Sequence, residues 1–181
     1  FNEVYFDNAL IPQKSLVGDE NLGWQYLMTA LAYERSFTSS PAPMVASLQD
    51  LVRYVRETRV GSGTLADDPH VRQLLAEMAT DVVACRLLTL RVVDMDSQGL
   101  IPTKEVSISF VLGMQVARRF AKKAVDILGM CELQAKDSPL VPIPGPLHAM
   151  WLESIAAGVG GGSAEMQRSI IATLGLGLPR G

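Results

Sequence analysis

Glu34 and Arg35 set an acid and a base side by side in an otherwise apolar stretch, residues 23–37, GWQYLMTALAYERSF. Trp24, Leu27, Met28 and Leu31 recur at i, i+3, i+4 and i+7, the pattern of one helix face. At about 100° per residue, Glu34 falls roughly 80° from the centre of that stripe, on its border, and Arg35 falls almost on its axis. A carboxylate at such a border is partly desolvated. Desolvation raises its pKa toward the working pH, as a general base removing a carbon-bound proton requires. Arg35 pulls the other way, and an ion pair or solvated charge at a helix edge is the competing reading.

A second stretch with chemical potential is residues 158–165, GVGGGSAE. Glycines ahead of a helix let free N–H groups converge on an anion or a polar ring edge. The plainer alternative makes Ser163 an N-cap and sets Glu165 favourably against the helix dipole. His70 and His148 sit with no Cys or Asp at ligand or triad spacing and read as helix-end residues. Cys85 and Cys131 lie far apart and form no metal-like or redox-like cluster. They read as buried free thiols in a reducing compartment, here the cytoplasm, and no metal is expected.

The elements that must position these residues are mostly helical. Residues 1–18 read as strand and turn, with Val4, Phe6 and the Ile11-Pro12 turn signal, and Asp19 or Asn21 is the expected cap of the first helix. Ser40-Pro41-Ala42-Pro43 interrupts that helix with a kink or short break, and the pattern resumes with Val45, Leu48, Leu51, Val52 and Val55. TRVGSGTLADD, residues 58–68, reads as a loop ending in an Asp68 cap before Pro69. A second helix carries Val71, Leu75, Met78, Val82, Cys85 and Val92 on one face through about Asp94. A third starts near Thr103 or Lys104, with Val106, Phe110, Gly113, Ala117, Phe120, Ala124 and Leu128 on one face. Its small central residues predict close approach by another helix or a ligand. Four prolines make residues 129–146 a long connection, followed by a short helix over 147–157 and a last one from Ala164 to about Leu174. The pattern predicts an up-down antiparallel four-helix bundle with a short β remnant at its start.

Composition narrows the function classes. With hydrophobic residues at 48% and charged ones at 19%, some helical surface is expected to lie under another domain or subunit. A net charge of −3 leaves no electrostatic footprint for nucleic acid, and no 18-residue uncharged apolar run offers a membrane span. The opening FNEVYF is strand-like rather than a signal peptide, and a lone strand without partners points to a piece of a longer protein.

Two passages carry a family resemblance. EVYFDNALIPQKSLVGDENLGWQYLMTALAYER, residues 3–35, resembles the entry from the middle β-domain into the first long helix of the C-terminal domain of acyl-CoA dehydrogenases. GGGSAEMQRSIIATLGLGLPRG, residues 160–181, resembles the same family's C-terminal segment. The resemblance implies a boundary near residue 18, with the end of a middle β-domain over 1–18 and the helical bundle over 19–181. It implies FAD-dependent oxidation of an acyl-CoA thioester to the 2-enoyl-CoA, with electrons passed to an electron-transferring flavoprotein. Most members place the catalytic glutamate just before a Gly-Thr or Gly-Ser step, where this chain has Gly161. A smaller group, similar to isovaleryl-CoA and long-chain dehydrogenases and to many actinobacterial paralogues, places it on the first helix before an arginine. Glu34-Arg35 stands there.

The resemblance thus implies Glu34 as the base, with Ala32, Tyr33, Arg35 and Gly162 lining the substrate path. It implies Ser163, Ala164 and Glu165 as flavin contacts. Two cross-interface contacts depart from the pattern. Thr58-Arg59-Val60-Gly61 replaces an Arg-x-Thr-Phe-Gly turn, and Asp126 and Gly129 fall in a rearranged Gln-x-x-Gly-Gly-x-Gly, with Asp126 and Glu132 bringing negative charge toward a diphosphate. A dimer or tetramer is implied, and with it a second reading: a noncatalytic structural subunit, with a degenerate flavin site, beside a paralogous flavin-complete one.

Overall fold

The computed structural model describes residues 2–38, 40–129, 138, 143, 147–156 and 161–179, without the side chains of 32, 33, 35–38, 148 and 149. Helices α1 (Gly23–Thr38) and α2 (Ala42–Glu57) lead into a short hairpin, β1 (Arg59–Val60) and β2 (Gly63–Thr64). Then come α3 (Pro69–Ser97), α4 (Thr103–Leu128), α5 (Leu147–Ala156) and α6 (Ala164–Ile170), which continues into a π-helical turn, Ile171–Gly175. The bundle is mostly helical, as the periodicity predicts. Most of the proline-rich 129–146 connection, with Cys131 and Glu132, lies outside the described residues.

The long helices α3 and α4 form the central pair. Asp68 caps α3 by accepting the His70 backbone N–H at 2.7 Å, with Pro69 at the first helical position, where its missing donor costs nothing. At the far end Gly99, at φ +71°, lets the Leu100 N–H reach back to the Met95 carbonyl and its own N–H to Asp96, which satisfies the last carbonyls. Across the pair, Arg119 binds Asp81 through two hydrogen bonds of 2.9 and 3.1 Å, and Lys123 reaches Glu77 at 2.6 Å. Numbers rise on one helix as they fall on the other, so the pair is antiparallel. Leu51, Met78, Val116 and Phe120, no more than 1% exposed, fill the space between α2, α3 and α4.

Glu77 also accepts a 2.9 Å bond from Gln73, and the Lys123 and Gln73 bonds together hold its carboxyl below the ordinary carboxylate range. A depressed folded-state pKa contributes stability that is present above the unfolded value, about 4.3, and lost as pH falls through the folded one. Thermal melts of the full-length protein should therefore move to lower temperature on acidification below about pH 4, and Glu77→Gln should flatten that dependence. Cys85 is 2% exposed, and burial pushes its thiol up to about 11, Asp81 adding to the effect. A thiol so placed stays protonated and inert. Iodoacetamide at neutral pH should leave Cys85 unmodified in the native protein and alkylate it after unfolding, as read by peptide mass.

Helix α1 ends at Thr38 and α2 begins at Ala42, an interruption where the prolines predict it. The entry to α1 differs from the predicted cap. Asn21 adopts φ +68°, the Leu22 carbonyl accepts the first helical N–H groups, and Asp19 donates its backbone N–H to the Tyr26 hydroxyl at 3.1 Å. Residues 2–22 contain one 3-10 turn, Gln13–Ser15, and no ladder, since this chain offers them no partner strand. The strand pairing that does form lies in the predicted 58–68 loop. There Arg59 pairs with Thr64 and Val60 with Gly63 across Gly61-Ser62. Gly61, at φ +59°, occupies the first central position, where a tight hairpin turn needs glycine.

Candidate active site

Helix α4 is the scaffold against which both candidate catalytic segments pack, α1 on one side and α6 with its leading turn on another. Glu34 lies on α1 and is exposed. The partial desolvation expected for it is therefore not supplied by this chain. The stripe beside it is only partly covered: Leu31 is half-buried, but Trp24 is 72% exposed, Leu27 47% and Met28 41%. The backbones of Ala32, Tyr33 and Arg35 continue α1, but their side chains lie outside the described residues.

The turn before α6 is tightly determined. Gly161 adopts φ +70°, and a Cβ there would lie 2.9 Å from Phe110 Cζ and 3.1 Å from its Cε2. Gly162 adopts φ +102°, and a Cβ there would lie 2.9 Å from Gln167 Nε2. Gln167, fully buried on α6, donates from Nε2 to the Gly161 carbonyl at 3.1 Å and so straps the turn to the helix. Ser163 caps α6, accepting the Met166 N–H at 3.4 Å. Glu165 is exposed, and its own backbone N–H together with the Ser163 hydroxyl holds its carboxyl below the usual range. Ala164 is half-buried beside them. Gly162, Ser163, Ala164 and Glu165 thus stand together as one turn.

Phe110, which blocks the space above Gly161, also lines a groove of about 220 Å³ between α2, α4 and α5, with Met44, Gly113, Met114 and Met150. Gly113 is the small residue predicted to admit a close neighbour. Its missing side chain helps to open the groove floor.

Asp126 and Gly129 belong to a different place. From Phe110 to Asp126 the rise along α4 is roughly 24 Å, so these two residues do not join the α6 turn. Gly129 ends α4 at φ +74°. The negative charge expected at Asp126 is offset: Lys122 Nζ pairs with its carboxylate at 2.8 Å. A flavin fits the residues that are present. The charge that would repel its diphosphate has a cation beside it. At the α6 turn, the buried Oε1 of Gln167 has no hydrogen-bond partner among the described residues, while a flavin carries ring N–H and ribityl hydroxyl donors.

Sequence reasoning missed Gln167, Lys122 and the site role of Phe110. Lys122 stands four residues before Asp126, the spacing at which helical charges meet. Gln167 shares a helix face with Ala164 and Ile171, and that spacing would have placed it inward.

The domain family described as "Acyl-CoA dehydrogenase, C-terminal domain" matches residues 21–175. The acyl-CoA dehydrogenase IpdE1 of Mycolicibacterium smegmatis is 32% identical over 99% of this chain and 43% of its own length. Among solved structures, the Tcur3481-Tcur3483 steroid ACAD superposes with a TM-score of 0.88 at 26% identity, covering 98% of this chain and 45% of that one. The ChsE4-ChsE5 complex from Mycobacterium tuberculosis superposes at 0.84 and 28%, covering 94% and 45%. The chain spans less than half the length of each of these relatives. Among the described residues no helix is long and apolar enough to cross a membrane, and no group of three or more His, Cys, Asp or Glu is placed to hold a metal ion. The match over most of the chain and the relatives agree: the chain belongs to the acyl-CoA dehydrogenases, a flavoprotein family whose cofactor is FAD, and corresponds to their C-terminal domain.

Proposed function

We propose that the full-length protein oxidises an acyl-CoA thioester to the 2-enoyl-CoA, with Glu34 as the base. The observation that carries this reading is the geometry at Gly161. Its positive φ and the Phe110 ring leave no room for a carboxylate where most of the family keeps one, and Glu34 is the acid at the other family position. In the reaction Glu34 takes the α-proton, a carbon-carbon double bond forms, and the β-hydrogen leaves with its electron pair. FAD, when bound, accepts that hydride.

Ala32, Tyr33 and Arg35 line the substrate path beside Glu34, and Gly162 lets the thioester approach the α6 turn. Ser163, Ala164 and Glu165 would hold the flavin on that side, and Asp126 and Gly129 would meet the diphosphate of a neighbouring subunit's flavin across the dimer interface. The cover missing from Glu34 comes from outside this chain and excludes water from the base. An electron-transferring flavoprotein takes the electrons onward in a cytoplasmic dimer or tetramer. The test is flavin bleaching by acyl-CoA in the full-length protein and in its Glu34→Gln variant.

A second reading makes the chain part of a structural subunit beside a flavin-complete paralogue. It is supported by the altered 58–61 hairpin and by the complex named for two chains, ChsE4 and ChsE5. Copurification separates the two readings. A catalytic subunit purified alone is yellow, whereas a structural one is colourless until its paralogue is coexpressed.

A further inference from the structure

An amide oxygen buried without a donor is costly, because it has given up water and gained nothing in exchange. Among the described residues, Gln167 Oε1 is such an atom, on a side chain that is fully buried and whose other end is already committed to the Gly161 carbonyl. The nitrogen fixes which way the amide faces, since a flipped amide would set oxygen against the Gly161 carbonyl. The oxygen is therefore held as an acceptor at the turn that the proposed function assigns to substrate and flavin. We infer that Gln167 is a binding residue: its Oε1 accepts a hydrogen bond from an N–H or O–H donor of a bound ligand, while its Nε2 positions the turn. This rests on the reading of the chain as half of a flavoprotein dehydrogenase. Two ligands offer that donor chemistry, the flavin through its ring N–H and ribityl hydroxyls, and the acyl-CoA through its pantetheine amides.

Two substitutions separate the roles of the two amide ends in the full-length protein. Gln167→Met keeps the length and removes both the donor and the acceptor. Gln167→Glu keeps an acceptor and, protonated in so buried a place, keeps a donor for the Gly161 carbonyl. Apoprotein is titrated with FAD, followed by fluorescence quenching, and FAD-loaded protein is titrated with an unreactive thioether analogue of the acyl-CoA, followed by the flavin spectrum. One hydrogen bond corresponds to a roughly 3- to 12-fold change in affinity. Gln167→Met should weaken one ligand by about that factor, with Gln167→Glu within about 3-fold of wild type. Weakening in the FAD arm identifies the flavin as the donor, and weakening in the analogue arm alone identifies the acyl-CoA.

Equal impairment of both variants, or of neither, overturns the inference, because the oxygen then has no ligand to meet. Apoprotein melting temperature is the control. Gln167→Met also gives up the Nε2 bond to the Gly161 carbonyl, so a modest fall is expected, whereas a large loss without a change in affinity marks a role in folding alone and also overturns the inference. Should Gln167→Met fail to fold, Gln167→Leu is read in the same way. If wild-type protein binds neither FAD nor the analogue, the dehydrogenase reading itself falls, a result distinct from the failure of the Gln167 variants.

Discussion

Replacing Glu34 with Gln in the full-length protein lowers the rate of flavin reduction by acyl-CoA by about 10²–10⁴-fold, the usual worth of a positioned general base, while FAD content stays at the wild-type level. Glutamine keeps the shape of the side chain and its place on α1 but cannot take a proton. The rate constant, measured anaerobically from loss of the oxidised flavin absorbance, therefore falls with little change in the apparent affinity for thioester. Rates within about threefold of wild type, a factor far below what general-base loss removes, would assign the base elsewhere. The exposure of Glu34 in this chain sharpens the experiment. On the proposed reading the base is covered from outside this chain, so the variant is compared in the full-length protein.

Moving the base to its more common place fails. In Gly161→Glu the new side chain meets the Phe110 ring, with its Cβ 2.9 Å from Cζ, on a backbone at φ +70°. A residue with a side chain in that conformation costs about 1–2 kcal/mol, and displacing the packed ring costs about 1–3 kcal/mol more. The expected outcome is a stability loss of about 2–5 kcal/mol by urea unfolding, with no recovery of turnover when Gly161→Glu is combined with Glu34→Gln. Gly161→Ala tests the strain without the carboxylate and should lose a large part of the same stability. An active double variant would mean that the turn can open and that the glutamate position is interchangeable between the two sites.

The parts of this chain that were legible beforehand are those where one periodic face meets a partner inside the same chain. Val71, Met78, Val82 and Cys85 on α3 and Phe110, Phe120 and Ala124 on α4 are buried as their spacing demands. The α1 stripe has equally regular spacing, yet Trp24, Leu27 and Met28 on it are exposed, because periodicity says which side of a helix is apolar and nothing about which molecule lies against it. The hairpin at 59–64 escaped notice because two-residue strands are shorter than any alternation that could reveal them. Gln167 escaped because a polar residue reads as surface unless its neighbours on the helix are weighed first. The family resemblance carried the assignment of roles, and the geometry at Gly161 added a physical reason for one of them.

The exposed residues of α1 have a practical corollary for anyone handling this chain by itself. Trp24, Leu27 and Met28, together with Phe6, Leu10, Ile11 and Val17 in the preceding segment, present greasy surface that water wets poorly. Produced alone, the polypeptide should self-associate, engage chaperones and elute as large species on gel filtration. Masking this surface, by a polypeptide that packs against α1 or by substituting the exposed apolar residues with polar ones, should return it to a discrete size.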